Sequence, residues 1–188
     1  MQKPLSPRGG EYNDAENAAY SADQADFDGA EALLGKIKNP TVRAQTEHAV
    51  QTAYAEEAAY DADNNDISTA ESLLSHVTLP DLRSKARAAV NSGIAEEAAY
   101  DASSSEDYAT AKSLEDKITD PTLVAKVEQT IAQEKSGNTE GASSTWDDLY
   151  NTSNTQWDDL YNQANSEWDT LYLHSDGYWQ QYEQAPDN

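Results

Sequence analysis

Three times, at a spacing of 40 residues, the chain repeats a phrase that ends in Ala-Ala-Tyr: Ala15 to Tyr20, Ala55 to Tyr60 and Ala95 to Tyr100. Each phrase is followed by a polar stretch closed by an Asp and an apolar residue: Asp26-Phe27, Asp66-Ile67 and Asp107-Tyr108. Leucines come next (Leu33-Leu34, Leu73-Leu74, Leu114), then Ile37, Val77 or Ile118. A proline closes each copy, at Pro40, Pro80 and Pro121, and one residue is inserted near Ser105 in the third. A period of this size marks a supersecondary unit that cannot bury its own apolar stripe and needs neighbours to do so.

The local chemistry predicts a helix–turn–helix in each copy. The Asp is a helix N-cap, accepting from free backbone N–H groups of the helix it opens. That short helix carries Ala30, Leu33, Leu34 and Ile37 at helical spacing, with Ala70, Leu73, Leu74 and Val77, then Ala111, Leu114 and Ile118, as counterparts. Proline starts the next helix, where its missing N–H leaves no bond unmade. Long helices are expected from about Pro40 to Ala62 and Pro80 to Ala102, and their Ala-rich last turns let backbones approach closely. The expected fold is all-α: three helix-turn-helix repeats stacked as a short solenoid or bundle. The repeats fall at about 11–40, 41–80 and 81–121, with a final helix at 121–134. Residues 1–10, with two prolines and Gly9-Gly10, read as a disordered leader, and 183–188 as a disordered end.

The Ala-rich helix, the polar turn, Asp-aromatic-x-x-Ala-x-x-Leu and the closing proline resemble tetratricopeptide-like helical hairpin repeats over Glu11 to Gln133. The period is longer than in that family, and its Trp-Leu-Gly opening is absent. The resemblance implies a stacked-hairpin scaffold that binds proteins or peptides, and carries over no particular binding residue.

The net charge of -23 argues against nucleic acid, because phosphate binding needs Lys/Arg clusters, and against an anionic membrane. There is no cysteine, hence no thiol nucleophile or Cys-based metal site, and no apolar run of membrane-spanning length. A composition rich in Ser, Thr, Asn and Tyr and poor in Lys is nearer to an exported Gram-positive surface domain than to a cytoplasmic one.

After residues 135–144, which read as a linker, every tryptophan appears at an 11-residue spacing: Trp146, Trp157, Trp168 and Trp179. An odd period sends successive tryptophans to opposite faces of a strand, whereas on a helix 11 residues make about three turns and hold one face. Leu149, Leu160 and Leu171 share that face, as do Tyr150, Tyr161, Tyr172 and, in a degenerate fourth block, Tyr182. Small residues follow seven after the first three tryptophans (Ser153, Ala164, Ser175). Two forms of the tail, residues 145–182, are open. One is a continuous amphipathic helix. The other is a row of separate helical turns, since Thr145, Thr155 and Ser166 with Asp148, Asp158 and Asp169 form capping-box signatures. So much aromatic surface must be covered: by the repeats themselves, by a second copy, or by a foreign protein. Trp-x-x-Leu beside acidic residues also resembles the motif read by the ubiquitin-like proteins of autophagy, which implies an extended conformation that a helix does not offer.

Asp61, Asp63 and Asn65 begin like a calcium loop, but Asp66 stands at the glycine position and Glu71 falls one position early, so a polar turn with an Asp cap is favoured. His48, His76 and His174 have no repeated partner, and no phosphate loop or nucleophile elbow is present. No cofactor and no catalysis are expected. The expected function is a non-enzymatic interaction scaffold that binds a protein partner through the Trp/Leu/Tyr seam. The alternative is a structural protein that self-assembles through it.

Overall fold

The computed structural model describes residues 7–183, with side-chain surroundings for all of these except 7–9, 178–179 and 181–183. Trp179 and Tyr182 therefore have side chains outside the described residues, as are residues 1–6 and 184–188 altogether. Among the described residues the chain is all-α: α1 (Pro7–Asp23), α2 (Phe27–Leu34), α3 (Pro40–Asp63), α4 (Ile67–His76), α5 (Pro80–Ser104), α6 (Tyr108–Glu115), α7 (Pro121–Lys135) and α8 (Thr139–Glu183). Pro7 to Gly10, read from the sequence as leader, form the first turn of α1, where a proline is well placed.

The repeat chemistry appears at each turn. Asp26, Asp66 and Asp107 cap α2, α4 and α6 by accepting from the backbone N–H of Gly29, Thr69 and Thr110. The Thr110 N–H and hydroxyl hold the Asp107 carboxyl below the usual carboxylate range. Just before each cap the chain turns through a left-handed residue: Ala25 at φ 57°, Asn65 at φ 62° and Glu106 at φ 52°. Asn tolerates this region, whereas Ala and Glu carry a steric penalty of about 1 kcal/mol there. Glu106→Gly is therefore expected to raise stability by about 0.5–1 kcal/mol in urea denaturation, with no change at an Asn65→Gly control beyond a few tenths. A second tie uses positions 80 residues, two repeat periods, apart on two helices: Glu11 Oε1 accepts from the N–H of Lys38 and Asn39 (2.7 and 3.0 Å), and Asn91 Oδ1 from that of Thr119 (3.1 Å). Each pins the non-helical link that precedes the next proline-started helix.

The fold comprises two compact units, one of residues up to Tyr54 and from Tyr161 onward, the other Ala55–Leu160. In the first, Ala15, Ala19, Leu34, Ile37, Val42, Ala49 and Leu171 form a buried cluster edged by Tyr12 and Trp168. Tyr54 is buried against Phe27, and its hydroxyl donates to Glu31 Oε1 at 2.9 Å; burial first, and then that bond, pushes its pKa up. In the second, α5 is buried along most of its length. Its Gly93 lets α3 approach so closely that a Cβ would lie 2.8 Å from the Asp63 nitrogen. Alanine and glycine thus replace bulk with proximity, and dispersion between backbones supplies much of the packing.

Residues 135–144 are not an extended linker. Lys135 ends α7, Gly137 turns the chain at φ 77°, and Asn138 Oδ1 accepts from Gly141 N at 3.2 Å to open α8. The tail is one helix, not separate turns. The hydroxyls of Thr145, Thr152, Thr155 and Thr170 each donate to the carbonyl four residues back. Side chains that satisfy their hydroxyls on the helix itself no longer compete with its backbone bonds.

Candidate functional site: an aromatic seam on the last helix

The seam residues divide between two environments. Leu149, Leu160 and Leu171 are 0–2% exposed, and Ser153, Ala164 and Ser175 are buried with them. Trp146, Trp157 and Trp168 are half-buried. Tyr150, Tyr161 and Tyr172 are 43–44% exposed. Leucine three and tyrosine four residues after each tryptophan therefore do different things, although the sequence put them in one stripe. A 100° step around the helix separates them.

Within the unit of residues 55–160 the tryptophans meet the repeats in a fixed register. Trp146 Nε1 donates to Glu96 Oε1 at 2.7 Å and its ring lies 6.0 Å from that of Tyr100. Trp157 Nε1 donates to Glu56 Oε1 at 2.7 Å and its ring lies 6.4 Å from that of Tyr60. Eleven residues forward on α8 thus match 40 residues back along the repeats. Between these two anchors Ser153 Oγ donates to Asp63 Oδ1 at 2.9 Å, and Lys126 pairs with Asp148. The Glu and Tyr come from the repeated phrase itself, at its second and sixth positions, so the same phrase that builds the helix supplies the indole's acceptor and its stacking partner.

The unit of residues up to 54 and from 161 shows the third copy. Trp168 lies 6.5 Å from Tyr20 and 5.5 Å from Tyr172. Its Nε1 is buried without a hydrogen-bond partner among the described residues, although Glu16 holds the position of Glu56 and Glu96. Glu167 takes over the polar tie: its Oε2 lies 2.9 Å from His48 Nδ1 and accepts from Thr52 Oγ1 at 3.0 Å. These groups border a cleft of about 210 Å³ lined by Gln45, His48, Glu167, Thr170 and Leu171. Farther along, His174 stacks on Tyr12.

Glu96 is the electrostatic singularity. Only 7% exposed, its carboxyl is pushed up to about 7, first by burial, against the lowering effect of the Trp146 N–H, and further by Asp63 and Glu97 nearby. Burial and neighbouring carboxylates raise Glu97 and Asp101 as well. A raised carboxyl stabilises the fold fully below its unfolded pKa, and that contribution is lost as pH rises through the folded one. Stability should fall by about 1–2 kcal/mol between pH 5 and pH 8, after allowance for solvent screening. Glu96→Gln keeps the indole's acceptor and removes the charge. It is expected to flatten that fall, measured as urea midpoints across the range.

Of the calcium-like residues, Asp63 accepts from Ser153 and Asn65 is the left-handed turn residue. Asp61 lies in the last turns of α3, its carboxyl raised by burial and by Asp66. Among the described residues no group of three or more His, Asp or Glu is arranged to hold a metal ion, and no helix is long and apolar enough to cross a membrane. The pairing of Trp with the repeat's Glu and Tyr was missed in the sequence. The signal was present in the three Tyr at spacing 40 and the three complete Trp blocks at spacing 11. Comparison with known proteins finds no matching family model, curated protein or solved structure.

Proposed function

We propose that this chain is a non-enzymatic helical-repeat scaffold that binds a protein partner through the tyrosine-bearing side of α8. The observation that carries the reading is the division of the seam: its leucines are 0–2% exposed while the tyrosines beside them are 43–44% exposed. The leucine side serves the protein's own core. In the unit of residues 55–160 the exposed tyrosines are Tyr60, Tyr100 and Tyr150, at 44–48% exposure; in the other unit they are Tyr20, Tyr161 and Tyr172, at 43–52%. Tyrosine gives large contact area with little side-chain entropy to lose and is favoured at binding centres. Stacked hairpins as in tetratricopeptide-like repeats suit the same role, and a cell-surface setting suits the charge.

Selection of displayed random peptides on the intact protein tests this. Selected clones should lose binding to a Tyr60→Ala/Tyr100→Ala variant that retains the parent's urea midpoint. Clones that bind the variant equally well would remove the tyrosine side from the contact. Sedimentation over a range of concentrations should give a monomer. A mass that rises with concentration, and stops rising in the tyrosine variant, would replace the partner reading with self-assembly.

A further inference from the structure

We infer that the partner is a basic, extended polypeptide segment whose arginines lie over the tyrosine–tryptophan pairs of α8; this rests on the scaffold reading above. In the unit of residues 55–160 there are two such pairs, whose tryptophans stand on α8: Trp146 with Tyr100 of α5 and Trp157 with Tyr60 of α3. Tyr150 extends the first pair, its ring 5.5 Å from that of Trp146. The indoles are fixed by their bonds to Glu96 and Glu56, so the rings are held in place before any ligand arrives. Rings packed 5.5–6.4 Å apart leave no cage between them. They make a platform, which suits a planar guanidinium that stacks as well as attracts.

The charge around the platform is predominantly negative, the Lys126–Asp148 pair apart. Asp147, Asp158 and Asp159 are exposed next to the two tryptophans, and no Lys or Arg follows Lys135 in the chain. Lys135 Nζ lies 4.7 Å from the centre of the Tyr108 ring, a cation–π contact within the fold itself. An acidic, aromatic surface steers cationic partners and disfavours anionic ones. The tryptophans are 11 residues apart on the helix, a rise of about 16.5 Å. Six residues of polyproline-type backbone cover about 18.6 Å and return a side chain to the same side, a difference that a flexible arginine stem takes up. Arginines about six residues apart in an extended chain therefore match the two platforms.

The test is titration of the intact protein, followed by calorimetry, with a Pro/Gly/Ser peptide carrying arginine at that spacing and with the same peptide carrying neutral citrulline instead. The arginine peptide should bind about tenfold more tightly than the citrulline one. Tyr60→Ala/Tyr100→Ala, checked for an unchanged urea midpoint, should lose about tenfold for the arginine peptide. Equal binding of both peptides, with loss in the tyrosine variant, overturns the cationic partner while leaving the scaffold reading intact. The same holds if neutral glycans bind in a tyrosine-dependent way and the arginine peptide does not. Arginine-dependent binding that the tyrosine variant retains in full overturns the platform, since charge alone then holds the peptide. No tyrosine-dependent binding of any of these probes or of displayed peptides would overturn the scaffold reading as well.

Discussion

A chain ending at Thr145 is expected to lose cooperative folding, bind a dye that reports exposed apolar surface, and aggregate. The reason lies in what α8 covers. Leu149, Leu160 and Leu171 are each essentially fully buried, and losing a buried leucine costs about 2–5 kcal/mol. In the unit of residues 55–160 alone, Leu149 and Leu160 together make about 4–10 kcal/mol, comparable to the whole stability of an ordinary domain. The alanine-built helices that face them have little bulk with which to close the gap. The bonds from Trp146 to Glu96, Trp157 to Glu56 and Ser153 to Asp63 go as well, leaving Glu96 buried without its donor. Circular dichroism and sedimentation of the truncated chain check the expectation. A soluble, cooperatively melting fragment would show instead that the repeats close without the tail.

Leu160→Ala should cost about 3 kcal/mol, near the middle of the range for buried leucines, while Tyr161→Ala, the next residue, should cost under about 1 kcal/mol. Leu160 is 2% exposed and Tyr161 43%. Urea midpoints of the two variants against the parent measure the contrast. Equal losses would mean that the helix does not keep one face inward.

Much of the fold was legible because it depends on local chemistry. Asp26, Asp66 and Asp107 announce three helix starts, Pro80 and Pro121 announce two more, and each is observed as read. The helix from Pro40, expected to reach about Ala62, ends at Asp63. The tail was harder. Thr145, Thr155 and Ser166 look like caps when only neighbours in sequence are weighed. Packing of the leucine face outweighs that preference, and the threonine hydroxyls turn back onto their own helix. The stretch 135–144 looks like a linker by composition, yet Asn138 supplies a cap and α8 begins at Thr139. The Trp–Glu–Tyr pairing was illegible residue by residue because its partners lie 50 and 101 positions apart. It follows only from setting the two periods side by side, a rise of about 16.5 Å on the helix against one hairpin of the repeat.

The tryptophan seam is thus a two-sided structure: a leucine side that completes the core and a tyrosine side on which the proposed partner docks. Amide hydrogen exchange on the intact chain tests the first half without perturbing it. The amides of α8 around Leu149 and Leu160 should be protected as strongly as those in the buried centre of α5, because both open only when the unit unfolds. Exchange of the α8 amides at the rate of an isolated helix, with α5 still protected, would contradict it.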